Sequence, residues 1–79
     1  MKEFLIKIIS AIVNDPTQVE VIETEENGLK IYTILAPEEE VGKIIGKEGK
    51  VINAIRCLAR LKALRAQERV LVKVEPRTI

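Results

Sequence analysis

Histidine and tryptophan are absent from this chain of 79 residues, and cysteine, phenylalanine and tyrosine occur once each. Without histidine there is no ordinary metal ligand of that type and no general base near neutral pH. A lone cysteine, Cys57, allows neither an intrachain disulfide nor a multi-cysteine metal site, and it suits a reducing compartment. No metal or other cofactor is expected, and enzymatic activity is not expected either. Long hydrophobic runs are also missing. The apolar stretch 4–13 is interrupted by Lys7, is too short to span a bilayer, and leads into Asn14-Asp15-Pro16 where a signal peptide would carry small residues. These absences predict a cytoplasmic protein with no membrane partner and no small-molecule substrate. Repeats, low-complexity tracts and linkers are lacking too, so residues 1–79 read as one domain.

What is present is an ordinary apolar share of 47% with a high charged share of 32%. The net charge of +1 conceals an asymmetry. Acids exceed bases up to Glu40, and bases exceed acids from Val41 onward, which gives the molecule one side suited to an anionic partner. Periodicity divides the chain into six elements. Leu5, Ile8, Ile9 and Ile12 mark an amphipathic helix over residues 2–13, ended by Asp15-Pro16. Two β-type runs, 18–24 and 29–35, flank Asn27-Gly28, a two-residue hairpin signal. The alternation is expected to place Ile22, Thr24, Leu29, Ile31, Thr33 and Leu35 toward the core, with Val19, Val21, Tyr32 and Ile34 outward.

Ala36-Pro37 opens a short helix whose Glu38, Glu39 and Glu40 favour the positive end of its dipole. Three consecutive helical residues spread over about 200°, so these carboxylates do not converge into an acid or metal site. Gly42 is expected to let this helix pack closely. A long helix over residues 50–66 follows, with Val51, Ile52, Ala54, Ile55, Leu58 and Ala59 as its core stripe. Cys57, Leu61 and Leu64 form a second strip, a candidate dimer contact in which Leu61 is assigned to the core and Leu64 to another chain. Residues 69–75 supply a last strand with Val70, Val72 and Val74 inward. The fold class is α+β, order α-β-β-α-α-β, a three-stranded sheet with three helices on one face.

The chemistry concentrates in Ile44-Ile45-Gly46-Lys47-Glu48-Gly49-Lys50-Val51-Ile52. Apolar pairs anchor a glycine-bounded connection whose main chain is left bare. The N-terminus of the long helix and Lys43, Lys47 and Lys50 converge there, which makes a place for a phosphate. A nucleotide-hydrolysing P-loop is excluded. The glycine-to-lysine spacing is one residue short, Glu48 replaces the required Ser or Thr, and a helix rather than a strand precedes the loop.

In this context the motif running from Ile44 to Ile55 resembles that of the KH RNA-binding domain in its type II arrangement. Ala36-Pro37-Glu38-Glu39 leading into Val41-Gly42-Lys43 is similar to the small bacterial KhpA family. The resemblance implies that Gly46 and Gly49 admit a single-stranded RNA backbone, which such GXXG loops clamp over about four nucleotides. Amides from Lys47 to Lys50 would donate to phosphate, Lys43, Lys47 and Lys50 would add charge, and Glu48 would turn outward. Ile44, Ile45 and Ile52 would partly floor the groove and partly hold the helices in the core, Ile34 or Leu35 would bound its far side, and Arg56 and Arg60 would extend the backbone contact. The resemblance further implies an RNA chaperone or post-transcriptional regulator, acting as a homodimer or with a second KH protein. The alternative is an interaction module in which the fold mainly pairs with another KH chain.

Overall fold

The computed structural model of the chain describes residues 1–77. Leu5, Ile9 and Val13 are all buried, so the expected N-terminal face is the one that packs. α1 itself (Lys2–Ser10) stops earlier than periodicity suggests. The Ser10 hydroxyl donates to the Ile6 carbonyl at 2.7 Å, and the N–H groups of Ile12 and Val13 both turn back to Ile9, a tightening common at helix ends. Asp15 then caps a short 3-10 turn at Pro16–Gln18 by accepting from the Thr17 N–H. Across the top of α1, the Lys62 ammonium lies 4.7 Å from the centre of the Phe4 ring.

β1 (Glu20–Glu26) and β2 (Leu29–Ala36) pair antiparallel through the predicted turn. Asn27 and Gly28 both have positive φ, 50° and 81°, as a two-residue turn of this hand requires. β3 (Arg69–Pro76) joins β2 in parallel, so β2 is central and the order is β1-β2-β3. Parallel pairing needs a long crossover, and α2 (Glu38–Ile45) with α3 (Lys50–Arg65) provides it.

The hairpin register is as expected, but the packed face is the opposite one. Val21, Tyr32, Ile34 and Ala36 are buried in the core cluster, whereas Ile22 and Thr24 are exposed and Leu29, Thr33 and Leu35 are only half-buried; of the expected face Ile31 alone is buried, outside that cluster. A two-residue turn fixes partners without saying which face the helices cover, and both faces of β2 are apolar. β3 decides the matter. Its alternating valines align with Lys30, Tyr32 and Ile34 across the parallel ladder, and directly opposed residues share a face.

α3 shows a similar shift of phase. Its buried residues are Ile52, Ile55, Ala59 and Ala63. Ala54 and Leu58, expected in the core stripe, are exposed, and so is Leu61, expected in the core, at 60%. Apolar residues occur round most of this helix, so spacing alone leaves its orientation open. The small Ala59 and Ala63 let the helix axis lie close to the sheet. Gly42 in α2 is not a close-packing residue, because a Cβ there would meet nothing within 4 Å.

A buried carboxylate ties α2 to the α1–β1 connection. Glu40 is 6% exposed. Its Oε2 accepts from the Asn14 N–H at 2.8 Å and its Oε1 lies 3.2 Å from Lys43 Nζ. The glutamate run therefore does more than start a helix. Glu38 and Glu39 are exposed, while the third carboxylate latches the α1–β1 connection to α2. Lys43 is too exposed for its ion pair to contribute much, so the Asn14 bond is the larger part.

Glu40→Ala is expected to destabilise the fold by about 1–3 kcal/mol, and Glu40→Gln by less because the amide oxygen still accepts from Asn14; urea melts of the two variants check the order. A pH series gives a second check. Burial pushes the Tyr32 phenol above its ordinary value, with the Glu23 charge adding to it. The hydrogen bond to Glu68 and its charge hold Lys30 above its ordinary value. Both groups keep their proton more tightly when folded. Stability is thus complete below about pH 10, near the unfolded values, and falls as pH rises through the folded ones. Thermal melts are expected to show that alkaline loss, and Tyr32→Phe to reduce it.

Candidate nucleic-acid interface

Between α2 and α3 the chain reverses in four residues. Gly46 (φ 76°, ψ 173°) ends α2 in a region that only glycine occupies readily. A short 3-10 turn at Lys47–Gly49 follows, with Glu48 at φ 58° and Gly49 at φ 74°. The two glycines serve different ends. A Cβ on Gly46 would lie 2.8 Å from Val51 Cβ and 3.0 Å from Val51 N, so Gly46 is required by the close approach of α3. A Cβ on Gly49 would meet only Asn53 Nδ2 at 3.9 Å. Gly49 therefore supplies the bare main chain, together with its left-handed turn. Glu48 adopts that conformation despite having a side chain, at a cost of roughly 1–2 kcal/mol.

The amides divide as well. Gly49 N–H donates to Gly46 O and Lys50 N–H to Lys47 O, so these two of the expected phosphate donors are internally occupied. The N–H groups of Lys47 and Glu48 come before the turn's first hydrogen-bonded amide, that of Gly49, as the opening N–H groups of a helical turn do. They remain as donors beside the start of α3 and its dipole.

Lys47, Glu48 and Lys50 are exposed, and among the described residues neither lysine forms an ion pair. Lys43 is exposed too but leans back on Glu40. Burial separates the isoleucines. Ile44 and Ile52 are closed into the core and hold the helices together, which corrects their assignment as groove floor. Ile45 is 37% exposed and lies one helical turn from the uncrowded Gly42. α2 thus offers a smooth apolar side next to the turn.

The far wall is not β2. Ile34 is buried and Leu35 lies on the opposite sheet face, because β2 is the central strand. β3 is an edge strand beside α3, and it bounds this side instead. Arg56 bridges the two, its Nε donating to the Val72 carbonyl at 3.3 Å. Arg60 is exposed one turn further along. Reading the sequence missed this wall because nothing in it states that β3 pairs with β2 alone; the surviving signal was the pair of arginines four residues apart.

A second surface is apolar. Cys57, Leu58, Leu61 and Leu64 are all exposed on α3, with Leu64 at 73%. Cys57, Leu61 and Leu64 border an open groove of about 750 Å³ whose other side includes Leu29 and Val70. Among the described residues no cluster of acids and cysteine is disposed to hold a metal, and no helix is long and apolar enough to cross a membrane.

Known proteins share this arrangement. The sequence model described as "KhpA/KhpB, KH domain" matches residues 2–74. The protein named RNA-binding protein KhpA in Thermotoga maritima is 47% identical over 58 residues, covering 73% of this chain and 77% of its own. Its namesake in Chlamydia pneumoniae is 40% identical over 74 residues, covering 94% and 95%. Among solved structures, Era of Aquifex aeolicus bound to GDP and aluminium fluoride superposes with a TM-score of 0.68 at 19% identity. Era in complex with MgGDPNP and nucleotides 1506–1542 of 16S ribosomal RNA superposes with a TM-score of 0.67, also at 19% identity. Each superposition takes in 99% of this chain but only 30% of the Era chain, and shows a common fold. By the match over nearly its whole length and the identity to these relatives, the chain belongs to the KhpA/KhpB KH-domain family.

Proposed function

We propose that the protein binds single-stranded RNA by seating a phosphate of the backbone on the Lys47–Gly49 turn. The observation that carries the reading is the turn itself. The Lys47 and Glu48 amides open the turn ahead of its first internal hydrogen bond, Gly49 leaves the approach open, and Lys47 and Lys50 stand beside it. The name borne by its relatives agrees with it. Bases then lie over Ile45 toward the edge of β3, and Arg60 neutralises a further phosphate. Tyr32 is buried and Phe4 packs under Lys62, so aromatic stacking contributes little. Affinity from a single copy is expected to be modest and strongly salt-dependent. A protein of this kind serves as an RNA chaperone or post-transcriptional regulator.

A second reading adds to the first. The exposed Cys57, Leu58, Leu61 and Leu64 strip favours pairing with another copy or another KH chain. Pairing would join two short RNA sites and raise their combined affinity.

Lys47→Asp combined with Glu48→Asp is expected to lower affinity for short single-stranded RNA at least about tenfold at low salt while leaving the melt nearly unchanged; fluorescence anisotropy against a salt series reads it. Equal binding by wild type and double variant would remove the proposal. Leu61→Glu with Leu64→Glu is expected to abolish self-association in sedimentation while leaving the intrinsic affinity of a monomer for a short oligomer within about twofold. A wild-type protein that stays monomeric and captures no second KH chain would remove the pairing.

A further inference from the structure

Arg56 differs from the other cations near the turn in being tethered. Its Nε–H is spent on the Val72 carbonyl at 3.3 Å. Val72 belongs to β3, whose side away from β2 is a free edge of the sheet. Arg56, Arg60, Val70 and Leu71 line a shallow hollow at this edge. A guanidinium carries five N–H donors in one plane. With Nε fixed, the two terminal nitrogens are presented in a set orientation, and among the described residues they take no hydrogen bond or ion pair. The tether has a second effect, because it places a cationic donor group in front of the Val72 carbonyl, where a base amino group would otherwise approach.

The position suits a base rather than the clamped phosphate. Arg56 lies six residues beyond Lys50 on the same helix, about 9 Å along its axis, and is half-buried against the strand. Arg60 is exposed and has no such tether among the described residues.

We propose that Arg56 is a specificity-determining residue that reads one base of the bound strand, favouring guanine and disfavouring adenine. Guanine offers O6 and N7 side by side, matching the paired terminal donors of arginine. Adenine keeps N7 but replaces O6 with an amino group, so that a donor faces the donors of arginine. The proposal rests on single-stranded RNA lying from the turn toward β3.

The experiment uses the full chain and oligouridines of seven nucleotides carrying one guanosine or one adenosine at each position in turn, read by fluorescence anisotropy. At one position guanosine is expected to bind roughly tenfold tighter than adenosine. Arg56→Met is expected to erase that ratio, whereas Arg60→Met weakens all oligomers by a common factor and keeps it. The ratio is taken within one variant, so partial unfolding cancels from it. Equal binding of guanosine and adenosine at every position, or a uniform loss in Arg56→Met with the ratio intact, overturns the assignment while RNA binding stands. No binding of any oligomer by the wild type at low salt overturns the underlying function and this inference with it.

Discussion

The contact of Gly46 with Val51 is the constraint from which the rest of the site follows. The close approach at that point demands a glycine, and its positive φ starts a reversal continued by Glu48 and Gly49. The reversal brings the start of α3 beside the end of α2 and places the Lys47 and Glu48 amides ahead of the turn's first hydrogen-bonded N–H, that of Gly49. A straighter connection would let those amides enter a helix, and the dipole of α3 would then point at its own chain. The strain at Glu48 belongs to this arrangement. A non-glycine residue in the left-handed region is held there by the packing on either side, Ile44 before it and Ile52 after it, both buried.

The element order, the hairpin register and the glycine turn were legible in the sequence because each rests on local rules. Asn27-Gly28 dictates partners, Asp15-Pro16 starts the short turn that leads from the α1 segment into β1, and glycines at 46 and 49 mark a turn. The faces were not legible. Both sides of β2 are apolar and α3 is apolar round most of its girth, so the choice of Ile34 over Leu35, or of Ala59 over Leu58, depends on the parallel register with β3 and on how closely α3 can approach the sheet. Those are relations between distant segments. The same limit explains the site residues. The motif located Lys47, Gly49 and Lys50, but it could not distinguish the exposed Ile45 from the buried Ile44 and Ile52, nor show that Lys43 leans on Glu40. The far wall fell to β3 because only the sheet order reveals which strand has a free edge.

Charge and topology reinforce one another here. The acidic half of the sequence supplies β1, the edge away from the crossover, and the basic half supplies the turn, α3 and β3. Glutamates along β1 discourage strand addition at that edge. Arg56 performs a related task at the other edge by occupying the Val72 carbonyl. One edge is closed by repulsion, and the other carries cations that suit a polyanion.

The most direct test of the central claim is a residue-resolved amide titration of the protein with a short single-stranded RNA. The account predicts that the largest shifts and the strongest gain in exchange protection fall on the Lys47 and Glu48 amides, with smaller changes running through Arg56 to Val72. Shifts centred on the groove at Leu61 and Leu64, or on Ile22 and Leu71 of the open sheet face, with the turn unmoved, would contradict it.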